Sequence, residues 1–291
     1  MEKRTIFSGT ATALITPFCD GNIDFARLGN IIDYQISSGI DALVIAGTTG
    51  EASTLTDSER YALYEFSAER CRGRIPLILG TGTNDTKTAV RHTKRAAELH
   101  ADAALVVTPY YNKGTAKGIV EHYKSVANSA DLPIILYNVP SRTGVNLSIS
   151  SIEELIAEPN IVGLKEASDS TDRLTLLSCL TDSLSLYMGN DTQIFSGLAL
   201  GARGVISVAS NIAPYAVLSI TQSFTRGELS ESLSSQKALL PLCRALFLET
   251  NPAPIKYAMS KAGFCTDEIR LPLSMPSEDT RRAIDTLLDE L

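Results

Sequence analysis

Residues 75–112, IPLILGTGTNDTKTAVRHTKRAAELHADAALVVTPYYN, hold one complete unit of the fold. Leu77, Ile78 and Leu79 make a short, continuously apolar run that closes on Gly and Thr, and Ala103 to Val107 make a second that closes on Pro109 and Tyr110. Between them lies an amphipathic stretch long enough to cross from one strand to the next. Apolar runs without polar alternation, joined through helices, indicate parallel strands covered on both faces. The GTGTND turn is a tight connection of that unit; it lacks the third glycine of a dinucleotide-binding loop.

The same unit recurs on both sides. Strand-like runs stand in GTATALITP, DALVIAGTTGE, IPLILGTGTND, AALVVTPYYN, PIILYNVPSRTG, IVGLKEAS, LSLYMGND and GVISVASN, with helical patterns such as FARLGNIIDYQISSG and DSERYALYEFSAERC between them. Eight βα units in about 210 residues predict an α/β fold, a (β/α)8 or TIM barrel, and not an open doubly wound sheet. Beyond the eighth strand, SITQSFTRGELSESLSSQKALLPLCRALFLE, PAPIKYAMSKAGF and SEDTRRAIDTLLDEL read as helices without strands. A catalytic barrel over residues 1–227 and a C-terminal helical domain over 228–291 are therefore expected, with a soft boundary, since the first stretch also completes the last barrel helix.

Composition narrows the functional classes. The 291 residues are 44% hydrophobic and carry a formal net charge of −7, which supplies no broad basic field for nucleic acid or anionic lipid. No window approaches the roughly 18 apolar residues of a spanning helix, and the N-terminal MEKRTIFSGTATALITPF lacks a sustained apolar core, so a cytoplasmic protein with neither nucleic-acid nor membrane partners is expected. Five scattered cysteines and three histidines show no metal-ligand spacing, and no metal site is expected.

In such barrels the chemistry sits where strands end. The polar residues following the apolar runs are Thr48, Thr49, Gly50 and Glu51 after the second, Tyr110, Tyr111 and Asn112 after the fourth, Tyr137 and Asn138 with Arg142 after the fifth, and Lys165 and Glu166 after the sixth. A lysine ending an apolar strand has two readings: a partner for a barrel carboxylate, or an imine-forming amine made nucleophilic by desolvation. The second requires a proton shuttle, for which Tyr137 relayed through Thr48 and Tyr111 is the candidate. It also requires anion contacts, which the backbone amides of Thr48 and Thr49, at a helix N-terminus, and the fork of Arg142 are suited to provide.

GTTGEASTL, VVTPYYN, ILYNVPSRTG, GLKEAS and GVISVASN, in this order and over nearly the whole chain, closely resemble the dihydrodipicolinate synthase family. The resemblance implies a class I reaction in which Lys165 forms a covalent imine with pyruvate, without any added cofactor. The derived enamine attacks L-aspartate 4-semialdehyde, and cyclisation yields 4-hydroxy-tetrahydrodipicolinate on the route to diaminopimelate and lysine. It further implies that Tyr137 moves protons with Thr48 and Tyr111, Thr49 contacts pyruvate, Arg142 clamps the semialdehyde carboxylate, and the backbones of Gly189 and Ile206 border the site. Tyr111 is expected to enter a neighbouring subunit's site, within a homotetramer built as a dimer of dimers. Sialic-acid lyases and keto-deoxy-sugar aldolases share the turn, tyrosine and lysine; the TPYYN pair and Arg142 favour the synthase over them. A keto-acid-binding barrel without activity is the third reading, opposed by the intact Lys165, Tyr137, Thr48 and Arg142.

Relatives inhibited by lysine bind it near this turn and the third βα loop, commonly through a histidine and a glutamate. The corresponding region here holds Ala52, Asp57, Arg60, Asn84, Thr88 and Tyr110, with Asp57 and Thr88 in place of those two residues. Thr88 has no carboxylate to pair with an ammonium. Weak or absent lysine feedback is expected, with Asp57 as partial compensation.

Overall fold

The computed structural model describes residues 3–289. Eight parallel strands close a barrel: β1 (Gly9–Ala13), β2 (Ala42–Ile45), β3 (Leu77–Gly80), β4 (Ala103–Val107), β5 (Ile134–Asn138), β6 (Ile161–Glu166), β7 (Ser185–Met188) and β8 (Gly204–Ser207). Each pairs with its sequence neighbours, and β1 closes on β8 through Gly9 opposite Gly204. The surrounding helices are α1 (Phe25–Ser37), α2 (Asp57–Cys71), α3 (Thr86–Glu98), α4 (Ala116–Ala127), α5 (Ile149–Ile156), α6 (Thr171–Ser178), α7 (Ile194–Ala199) and α8 (Pro214–Thr225).

Strand alternation divides the apolar residues into two layers. Ala11, Ala42, Val44, Ala103, Leu105, Ile135 and Ile206 fill the barrel interior, whereas Leu43, Ile45, Leu79, Ala104, Val106 and Leu136 face the helices. Helix faces are built to match: α3 buries Ala89, His92, Thr93 and Ala96 at helical spacing, and the Asp85 side chain accepts from the Thr88 amide at its N-terminus. In α2, Thr56 and Glu59 form a reciprocal capping box.

One irregularity determines where the lysine points. Ile134 pairs with Ile161, but Ile135 pairs with Gly163, so β6 contains an extra residue at Val162. Side chains alternate faces along a strand, and that insertion reverses the parity of everything after it. Leu164 packs outward with the helices, and Lys165 turns inward, level with Tyr137 of β5. Gly163 leaves room for the interior side chains: a Cβ there would lie 3.1 Å from the Tyr187 ring and 3.3 Å from Ile135.

After the eighth strand, the first C-terminal stretch forms two helices, the earlier of which completes the barrel. α8 stops at Thr225, Gly227 adopts a left-handed φ of 79°, and α9 (Leu229–Ala245) folds back along α8. Ser232 donates to the Ile220 carbonyl and Gln236 Nε2 to that of Asp191, tying α9 to α8 and to the loop after β7. α10 (Ala253–Lys261) and α11 (Glu278–Leu288) follow, and Leu242, Leu246, Ile255 and Met259 belong to the same apolar layer as the barrel's outer face.

Candidate active site

A cavity of about 1010 Å³ opens at the C-terminal ends of the strands. Its lining includes Thr48, Thr49, Tyr137, Arg142, Lys165 and Gly189, six residues singled out from the sequence. Lys165 is buried, with Nζ 4.5 Å from the Tyr137 ring centroid. Gly189 keeps the lysine's path open, because a Cβ there would stand 3.1 Å from Lys165 Cε and 2.6 Å from the Ala167 methyl.

The loop holding Thr48 and Thr49 differs from its sequence reading. It lies between Ala46 and Glu51, both with left-handed φ of 54°, and is followed by a single 3₁₀ turn, Ala52–Thr54; α2 starts only at Asp57. The dipole of a full α-helix therefore does not begin at these amides, and the local turn alone orients them. Ile206 is buried in the barrel interior, in the same apolar cluster as Tyr137, and is not among the residues lining the cavity. Tyr111 has a φ of 70°, is 88% exposed, and is not among the residues lining this chain's own cavity.

Three buried polar groups that sequence reasoning did not assign hold the site. Glu166 accepts from Asn138 Nδ2 at 2.9 and 3.1 Å, from the Ser168 amide at 2.9 Å and from Arg173 Nε at 2.9 Å, which fixes the loop leaving β6. Asp191 Oδ2 accepts from the Val208 and Ala209 amides and fixes the loop leaving β8; burial pushes its carboxyl above the usual range. Glu51 forms a buried ion pair with Lys256 Nζ at 2.5 Å and accepts from the Arg270 amide at 3.0 Å. Burial lowers the Lys256 pKa while Glu51 opposes that shift, and the ammonium also stands 4.2 Å from the Phe18 ring centroid. The polarity of Glu166 at a strand end was a legible signal; Lys256, in a stretch readable only as helix, offered none.

A second cavity, of about 460 Å³, adjoins the first and shares Thr48, Tyr137 and Arg142 with it. Ala52, Asp57, Arg60, Thr88 and Tyr110 line it. Asn84 does not; its carbonyl accepts from Asn112 Nδ2. Arg60 is buried, with Nη2 on the Ala52 carbonyl at 2.5 Å. Asp57 accepts from Arg91 at 2.8 Å and from His92 Nε2 at 3.1 Å, and these contacts lower its pKa. Burial and Arg60 lower that of His92, and its hydrogen bond to Asp57 opposes the shift.

The model of the dihydrodipicolinate synthetase family matches residues 6–291. The chain belongs to this family. It is 44% identical over 287 residues to the 4-hydroxy-tetrahydrodipicolinate synthase of Alkaliphilus oremlandii, covering 98% of both chains. The crystal structure of dihydrodipicolinate synthase from Aquifex aeolicus superposes with a TM-score of 0.96 at 42% identity, covering 98% of each chain. The chloride-inhibited synthase from Acinetobacter baumannii, solved in complex with pyruvate, superposes with a TM-score of 0.95 at 39% identity, covering 98% of this chain and 99% of that one. The family resemblance and the barrel expected from the sequence are both borne out.

Proposed function

We propose that this chain is a 4-hydroxy-tetrahydrodipicolinate synthase that condenses pyruvate with L-aspartate 4-semialdehyde through a Schiff base on Lys165. The observation that carries the reading is the buried Lys165 amine packed over Tyr137 in a cavity that also holds Thr48, Thr49 and Arg142. Nζ attacks the pyruvate ketone, water leaves, and the iminium forms. Loss of a methyl proton gives the enamine, whose carbon attacks the semialdehyde aldehyde. Tyr137 delivers the proton to the new alkoxide, with Thr48 and Tyr111 as its relay. The substrate amine then attacks the iminium carbon, closing the ring and releasing Lys165. Thr49 receives the pyruvate carboxylate, Arg142 that of the semialdehyde, and Gly189 and Ile206 supply backbone at the edge. The scheme draws on no cofactor.

The exposure of Tyr111 supports the assignment of its hydroxyl to the site of a second copy, in a homotetramer arranged as a dimer of dimers. Five free cysteines suit a reducing cytoplasm, and among the described residues no helix is long and apolar enough to cross a membrane. The experiment is turnover of pyruvate with L-aspartate 4-semialdehyde through a coupled reductase, comparing wild type with Lys165→Ala. Robust turnover abolished by the substitution is the expected result; no turnover by the wild type would reject the reading.

Lysine feedback is weak or absent in this account. Asp57 is already engaged by Arg91 and His92, Thr88 has no charge, and the buried Arg60 guanidinium in the second cavity disfavours a cationic ligand. Inhibition by sub-millimolar lysine in a steady-state titration would contradict this.

A further inference from the structure

We infer that Asn251, in the segment leading into α10, is a positioning residue that couples the two carboxylate-binding positions, so that occupancy of one organises the other. The inference rests on the function proposed above.

Thr49 and Arg142 stand on different loops, after β2 and after β5. Asn251 touches both. Its Nδ2 donates to Thr49 Oγ1 at 3.0 Å, and its backbone carbonyl accepts from Arg142 Nη2 at 2.9 Å. The residue is 3% exposed, lines the same cavity as Lys165, and leaves its Oδ1 buried without a partner among the described residues. A buried amide oxygen without a donor is costly, so packing alone gives no reason for an asparagine at this position. What the amide does supply is the bond to Thr49. That bond fixes the backbone of residue 251, and the backbone carbonyl in turn fixes one nitrogen of the Arg142 fork, leaving its remaining donors for a carboxylate. The segment is itself anchored, because α10 carries Lys256, which is paired with Glu51 in the loop holding Thr49.

The test is steady-state kinetics of Asn251→Leu, Thr49→Val and the double variant, with thermal unfolding of each. Asn251→Leu keeps the backbone carbonyl and removes the amide. It should raise KM for both pyruvate and the semialdehyde by about 3- to 10-fold with a smaller effect on kcat. Thr49→Val should raise the semialdehyde KM as well as that of pyruvate, although Thr49 is not assigned to that substrate. In the double variant the effects should fall well short of their product, since both substitutions remove the same bond. KM values unchanged in Asn251→Leu, or effects that multiply fully, would overturn the inference. A lower melting temperature with kinetics otherwise normal would assign Asn251 a purely structural role and overturn it equally. Should Asn251→Leu not fold, Thr49→Val alone decides through the semialdehyde KM. A wild type without turnover removes the proposed function and this inference together, whereas an active wild type with an unaffected Asn251→Leu removes only the inference.

Discussion

At the scale of single residues, the proposed site depends on an amine and a phenol held at one level of the barrel. Lys165 and Tyr137 are register partners on β6 and β5, and the ring covers the amine. In the proposed mechanism the hydroxyl moves the proton that the ring cannot. Tyr137→Phe keeps the ring and should lower kcat by roughly 10²- to 10⁴-fold, the range for loss of a positioned acid–base group, with thermal stability close to wild type. A near-normal rate would place the shuttle elsewhere. Most of these residues were legible in the sequence, because a polar side chain ending an apolar run stands out at once. Lys165, Tyr137, Arg142 and Thr48 were found that way, and all line one cavity. Asn251 and Lys256 were not, because their partners lie about 200 residues away in sequence and no local pattern encodes such a pairing.

At the scale of elements, the eight strands were legible as apolar runs, but the parity of β6 was not. Counting alternation from Ile161 without the inserted residue would place Lys165 outward, opposite Asn138, against the helices. Only the pairing register reveals the bulge at Val162 that turns it inward. The C-terminal helices read as an appendix and yet contribute to the site, through Asn251 and through the Glu51–Lys256 pair below the Thr48–Thr49 loop. Lys256→Met strands the Glu51 carboxylate in a buried position. It should cost about 3–5 kcal/mol of stability, the range for breaking such a pair from one side. Adding Glu51→Gln to Lys256→Met removes the stranded charge and should restore a large part of that loss. Chemical unfolding of the three proteins measures this; a double variant no more stable than the single one would show that the pair is not what joins these elements.

At the scale of the whole molecule, stability should decline on mild acidification, independently of the site. His122 is buried on α4, with Nδ1 3.0 Å from Thr86 Oγ1 and Nε2 without a partner among the described residues; burial lowers its pKa to about 4. The unfolded chain, with an ordinary histidine near pH 6.5, then binds the proton more readily than the native state. Stability from this group is complete above about pH 6.5 and is lost as the pH falls towards 4, on the order of 1–3 kcal/mol. His92 shifts in the same direction, so the comparison must be made between wild type and His122→Gln. The variant should lose less stability across that window in melting experiments; parallel curves would contradict the assignment.

The central claim is that the amine of Lys165 is the covalent centre. Borohydride reduction in the presence of pyruvate, followed by intact mass and peptide mapping, tests it most directly. The account predicts one reduced pyruvyl group per chain, on the peptide containing Lys165, and none in Lys165→Ala. An unmodified wild type, or a label on any other lysine, would contradict it.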